Sequence, residues 1–373
     1  MIRMTSTLAA ALRFHACEAT HKAYVDAENG IVQKKVAASQ KEAWHVARLC
    51  TMIREMAQDW RKVITAELPE LTLSMSSVFT HQRPYVKWPD RLTGTSRCEL
   101  ADLLVAVIDR REDFRGGLAV LVQAKLSDGG QVTLKGPGDE TQFDLLSNRP
   151  TFDVLKGQGP SQVNLQGLSP DSALLYGLAS KSGHWAEPFC GCCRHKTWLA
   201  ADGLGKLGKT SPLRVTASET FSSVLVGLLQ GSYGWKFDLP PDGQDWNYFK
   251  SPRDDWSMLI NYLLENTFKL EMGTYFNKLQ ATNGHTSRGK EEPLFFLAPP
   301  PNKPSMFLMT DGFSQVSKLI APNSRPSEGP VWVQATSTSW NGDGGDGGEW
   351  GTNPDGPEDG PISAIVIEIG KQS

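Results

Sequence analysis

Asp102, Gln123 and Lys125 are the residues whose types and spacing suit chemistry. Each interrupts an otherwise apolar run: Asp102 lies within Ala101 to Ile108, and Gln123 and Lys125 lie within Leu118 to Leu126. Runs of this length and apolarity read as strands buried on both faces. An unpaired carboxylate or ammonium there is costly, so such groups pair with one another or with a metal. With a side-chain period of two, Gln123 and Lys125 face the same way, and Asp102 shares a face with Leu104, Ala106 and Ile108. The polar connection RREDFRGG, with its glycine pair, reads as a hairpin loop. Antiparallel neighbours in register then bring Asp102, at the start of one strand, to Gln123 and Lys125 at the end of the other. Glu99, three residues ahead of Asp102, joins them only through a turn or bulge.

Such a group suits metal-assisted hydrolysis of a phosphodiester. That reaction needs a hard cation such as Mg²⁺ or Mn²⁺ held by oxygens, to supply hydroxide near neutral pH and to neutralise charge on the phosphorane. Asp102 is the anionic ligand, Gln123 offers an amide carbonyl, and the Ala124 backbone carbonyl with a second acid completes the set. The second acid is Glu99, or Glu42 from a helix. Lys125 orients the attacking water or stabilises the phosphorane, and both ion and pocket act on its pKa toward the neutral amine. The same residues also fit a buried Asp102 to Lys125 salt bridge in a purely structural sheet.

The order acid, x, x, Asp, apolar strand, loop, apolar strand, Gln-x-Lys is carried here by ELADLLVAV and VLVQAK, with 21 residues from Asp102 to Gln123. It resembles the PD-(D/E)xK nuclease superfamily in the form where Gln replaces the second acid. Over residues 40 to 155 the resemblance implies an α/β (α+β), restriction-endonuclease-like mixed sheet flanked by helices. It implies catalytic Asp102, Gln123 and Lys125, with Mg²⁺ or Mn²⁺ on Glu99, Asp102 and Gln123. DNA is the implied substrate, and bacterial restriction and antiphage effectors are the implied setting, with protein partners of a defence complex or a second copy of the chain. Ala101 stands where the nominal signature has proline. An inactive nuclease-fold subunit serving as scaffold or sensor is the alternative from another class.

Composition sets the limits. The chain has 373 residues, 39% of them hydrophobic and 21% charged, which is the make-up of a globular protein able to bury a core. With 38 basic against 41 acidic residues, a polyanion must be met by a local basic patch. No apolar run has the length of a membrane span, the start lacks a leader pattern, and six unevenly spread cysteines point to a reducing cytoplasm. Three of those cysteines crowd into Cys190, Cys192 and Cys193, beside His184 and His195. Zinc takes such ligands, but the spacing departs from paired knuckles, so structural Zn²⁺ and plain buried thiols both stay open.

The positioning elements follow in chain order. Residues 1–155 form the nuclease-like unit, with helices over 5 to about 27 and from Ser39 to Leu68. Leu49, Ile53, Met56, Trp60 and Val63 make the apolar stripe of the second, and Glu42 and His45 fall on its extension. HQRPYVKWPDR interleaves Arg83, Lys87 and Arg91 with Tyr85 and Trp88, as an exposed edge strand or a groove that tracks a nucleic-acid backbone would. A short helix over Asp139 to Leu146 follows Lys125; Asp139 and Glu140 suit its macrodipole. Residues 156–212 read as a linker, Gly, Pro, Ser and Gln rich to 175, followed by the Cys/His segment. Residues 213–373 mix helices and strands. Thr216 and Glu219 make a capping box that opens one helix, Ser251 with Pro252 opens another, and Trp235, Trp246 and Trp256 serve as core anchors. Strands are expected in LFFLAPPPNKPSMFLMT, in GPVWVQATS and at the closing ISAIVIEIG, with a flexible Gly/Asp-rich loop over 339–361.

Overall fold

The structure, a computed structural model, describes residues 2–34, 41–79, 84–90, 94–111, 116–128, 130–155, 159–168, 173–181, 198–202, 214–241, 243–251, 253–268, 294–298 and 362–371. The Cys190 to His195 cluster, Arg83, Arg91, the GPVWVQATS segment and the 339–361 loop lie outside these residues.

The apolar doublet forms the expected hairpin. β4 (Leu103–Asp109) and β5 (Gly116–Ser127) pair antiparallel, from Leu103 opposite Val122 to Asp109 opposite Gly116. They stand near the middle of a nine-stranded mixed sheet. On one side β4 pairs in parallel with β14 (Ser363–Lys371), the closing segment of the sequence. β14 in turn pairs with β1 (Leu71–Phe79), and β1 with β13 (Leu294–Ala298). On the other side β5 pairs in parallel with β8 (Leu174–Ser180), followed by β9 (Trp198–Asp202) and β11 (Glu219–Thr220). β12 (Trp235–Asp238) pairs with the start of β5. β8 lies where the sequence reads as a linker merging into apolar residues. Its run ALLYGLAS is short, and its pairings with β5 and β9 fix it as a strand.

Period-two alternation sorts the sheet residues into two buried layers. Val105, Val107, Val120 and Val122 meet α1 (Ser6–Lys34), α2 (Lys41–Thr51), α3 (Ile53–Glu67) and α5 (Phe221–Gln230). Leu104, Ala106, Leu121 and Tyr176 meet α4 (Pro137–Asn148) and α6 (Asp255–Phe268). Among the described residues there are also two small sheets: β2 (Tyr85–Asp90) between β3 (Gly94–Glu99) and β7 (Asp153–Val154), and β6 (Gln131–Thr133) with β10 (Arg214–Thr216). No helix among the described residues is long and apolar enough to cross a membrane.

Several local expectations change. The single helix expected over Ser39 to Leu68 is two, α2 and α3, parted at Met52. The Cys50 carbonyl is taken by Ser77 Oγ at 2.8 Å, and the Met52 N–H donates to Leu49 O at 3.2 Å in a tighter turn. α1 runs on through Gly30, because that glycine gives Trp44 room. A Cβ there would lie 2.7 Å from the indole ring, which is itself buried. Gly30→Ala is therefore expected to destabilise the protein by about 1–3 kcal/mol, as overpacking does, read as a lower urea midpoint.

Helix starts also shift. Thr220, not Thr216, caps α5, its Oγ1 accepting from the Ser223 N–H at 3.1 Å, because Glu219 and Thr220 form β11 instead of a first turn. Asp254, not Ser251, caps α6, accepting from the Ser257 N–H at 3.0 Å. Gly231 ends α5 at φ 89°, as expected of a glycine stop. Trp246 and Trp256 are core anchors, and Trp235 is only half-buried against that core. Trp88 is buried as well, which removes it as a stacking platform, while Arg97 sits 4.7 Å over the Tyr85 ring.

Glu368, on β14, is one of three buried acids among the described residues, with Asp109 and Glu265, that the sequence does not single out. It is 2% exposed and pairs with Arg110 at 3.1 Å. Burial pushes its carboxyl up to about 8, against the opposing pull of Arg110. The folded state thus holds this proton more tightly than the unfolded chain. Its contribution is full below the unfolded pKa and is lost as pH rises through about 8. Glu368→Gln is expected to flatten the fall in stability between about pH 5 and pH 8 by on the order of 3 kcal/mol, read from urea midpoints of both proteins at each pH.

Candidate active site

β4 begins at Leu103, so Asp102 sits in the bend just before it, one step outside the strand in which sequence reading placed it. The hairpin register still carries it to the end of β5, where its N–H donates to Val122 O at 3.1 Å. Its carboxylate is gripped through one oxygen. Oδ2 accepts from the Ala124 N–H at 2.7 Å and from Gln123 Nε2. The Gln123 amide presents its nitrogen to Asp102, and its oxygen is turned elsewhere. Gln123 Oε1 is buried and has no hydrogen-bond partner among the described residues. Asp102 Oδ1 likewise accepts no hydrogen bond there.

Lys125 leaves the same face two residues on. Its ammonium is 2.9 Å from Asp139 Oδ1, on the first turn of α4, and 3.8 Å from Glu42 Oε2, on the first turn of α2. The other oxygen of Glu42 accepts from the Leu126 N–H at 3.2 Å, and the other oxygen of Asp139 accepts from the Lys135 N–H at 2.9 Å. Both acids are thus tied to backbone, Glu42 at the end of β5 and Asp139 just ahead of its own helix. Asp139 has a role here beyond the macrodipole that sequence reading assigned to it. Glu99 ends β3 in the three-stranded sheet, half-buried and opposite Tyr85. His45, which shares the stripe of Glu42, is buried and stacks on Tyr24, its Nε2 2.9 Å from Glu28 Oε1.

Three carboxylates therefore face one ammonium. Burial raises the Asp102 carboxyl, Lys125 opposes that, and Glu42 adds to the rise, leaving it at about 7. For Lys125, burial pulls down, but Glu42, Asp139 and Asp102 together outweigh it and hold the ammonium above its ordinary range. The sequence reading had the pocket driving this lysine toward the neutral amine; the carboxylates reverse that sign. Tyr176 is a further residue the sequence did not single out. It lies opposite Gln123 on β8, fully buried, and its hydroxyl has no partner among the described residues. Burial, then Asp139 and Cys98, push that phenol upward.

No family model, curated protein or solved structure matches the chain. The site must therefore be read from its own atoms. Among the described residues no cluster of three or more His, Cys, Asp or Glu is placed to hold a metal. Any ligand set at this point has to include neutral oxygens, and one stands ready in Gln123 Oε1. The donors are all hard oxygens, the choice of Mg²⁺ or Mn²⁺ and not of zinc. Burial is the main cause of the raised Asp102 carboxyl, with Glu42 adding to it against the larger opposing pull of Lys125, and a bound dication would favour the ionised form. The residues present fit such an ion.

Proposed function

We propose that the chain is a metal-dependent endonuclease of the PD-(D/E)xK type, with a restriction-endonuclease-like core and DNA as substrate, working in the cytoplasm as the effector of a bacterial antiphage or restriction system. The single observation that carries this reading is that Asp102 Oδ1 and Gln123 Oε1 both stay uncommitted among the described residues while Gln123 Nε2 is bonded to Asp102 Oδ2. A purely structural Asp102 to Lys125 salt bridge would spend both groups on each other. Instead Lys125 is spent on Glu42 and Asp139, and Asp102 on Gln123 and Ala124.

In this reading Asp102 and Gln123 hold the cation, with Glu42 or Glu99 as the additional acid. When bound, the ion supplies an activated water and neutralises phosphate charge. The chain's own residues do the rest. The Ala124 N–H and Gln123 Nε2 fix the Asp102 carboxylate, so that its free oxygen is presented in one orientation. Lys125, kept charged by its carboxylates, stabilises the negative phosphorane through its ammonium. Asp139 and Glu42 position that ammonium.

The rival is a nuclease-fold scaffold that binds without cutting. Supercoiled plasmid incubated with the full chain separates the two. Nicking in Mg²⁺ or Mn²⁺ that EDTA abolishes is expected; DNA retention on a gel with no strand break in either ion would support the scaffold.

A further inference from the structure

The segment after β7, with QVNLQGL at its centre, reads in sequence as linker. In the structure it packs. Val163, Leu165 and Leu168 enter the main core, while Gln162, Asn164 and Gln166 all face outward. Opposite them stand Trp235, Arg253 and Trp256, and the two sides bound a cavity of about 650 Å³. That volume suits a nucleotide-sized ligand.

The lining decides the ligand class. Its carboxylates are already committed: Asp255 accepts from the Asn164 N–H at 2.7 Å and from Arg253 Nε, and Asp254 caps α6. A site for sugars would present free acids to paired hydroxyls, and here both Asp255 oxygens and one oxygen of Asp254 are taken. What remains is amide. Gln166 makes no side-chain hydrogen bond among the described residues, Asn164 has engaged only Oδ1, and Gln162 only Nε2. Gln166 offers a donor and acceptor in one plane, the pattern of a base edge, with Asn164 Nδ2 and Gln162 Oε1 as a further donor and acceptor. Trp235 is half-buried, its backbone carbonyl accepting from Trp256 Nε1–H at 3.1 Å, and its side chain is part of the lining, where an indole can stack. Arg253 is half exposed and meets Asp255 through Nε, so its terminal amino groups are left to meet a phosphate.

We propose that this cavity binds an unpaired nucleobase together with its phosphate, from a single strand or a free nucleotide. It uses none of the residues around Asp102, so it stands whether or not that site cuts.

The test uses the full chain in EDTA, which suppresses cleavage, with labelled short homopolymeric single strands followed by anisotropy. Nucleoside monophosphates are titrated in parallel against fluorotryptophan-labelled protein by fluorine NMR, the Trp235 resonance being assigned with Trp235→Phe. Binding is expected to move that resonance. Gln166→Ala and Asn164→Ala, both at exposed positions, are expected to weaken binding about fivefold or more, as is Trp235→Leu, by loss of edge contacts or stacking. A response to strands alone, or to mononucleotides alone, supports the proposal and fixes the source. No shift at millimolar nucleotide and saturating strand, affinities unchanged in all three variants, or a response to oligosaccharides in place of nucleotides would each overturn it.

Discussion

Asp102→Asn is expected to abolish the stabilisation that Mg²⁺ or Mn²⁺ confers on the folded protein. A ligand at about a hundred times its Kd adds ~2.7 kcal/mol to the folded state. For a chain of this size that is a rise in Tm of roughly 3 °C. The rise should be present in the wild type and absent from the variant, since Asp102 supplies the anionic oxygen and, through its bond to Gln123, the orientation of the neutral one. The asparagine variant keeps an acceptor for the Ala124 N–H, so folding itself should survive. Equal cation-induced shifts in the two proteins would place any bound ion elsewhere.

The second large effect concerns the additional acid. Glu42 is fixed by the Leu126 N–H and lies against Lys125, and its charge is felt by Asp102. Glu42→Gln keeps the backbone bond and removes the charge. It is expected to cost about 10- to 100-fold in cleavage rate or cation affinity, the range for a group that orients or completes a metal site. Glu99→Gln should change both by less than about twofold if Glu42 fills the place alone. Single-turnover cleavage with each variant over a Mg²⁺ titration separates them. A large loss in the Glu99 variant with none in the Glu42 variant would exchange their roles.

Much of the positioning was legible because it depends on strand parity. The alternation along Ala101 to Ile108 and Leu118 to Leu126 is enough to pair β4 with β5 and to bring Asp102 to Gln123, which the register then shows. The closing ISAIVIEIG was legible as a strand, but not its place between β1 and β4, since nothing in a uniformly apolar run names its neighbours. Asp139 was visible only as a good first-turn residue. That it meets Lys125 depends on how α4 folds back over β5, a long-range fact with no local signal. Tyr176 was hidden for the same reason, because β8 is defined by its pairings with β5 and β9 and not by its own pattern. The charge state of Lys125 was misjudged because a count of neighbours was missing. Burial alone favours the neutral amine, and it took three carboxylates to reverse it.

The measurement that bears most directly on hydrolysis at this site is cleavage of supercoiled plasmid by wild type and Lys125→Ala side by side in Mg²⁺ and in Mn²⁺. Losing a charge that stabilises the phosphorane should lower the rate by about 100- to 1,000-fold. Circular dichroism should show the variant folded. Wild type that cuts and a folded alanine variant that does not is the expected result. Cleavage that persists undiminished in the variant, or its absence from the wild type in both ions, would contradict a nuclease built on Asp102, Gln123 and Lys125.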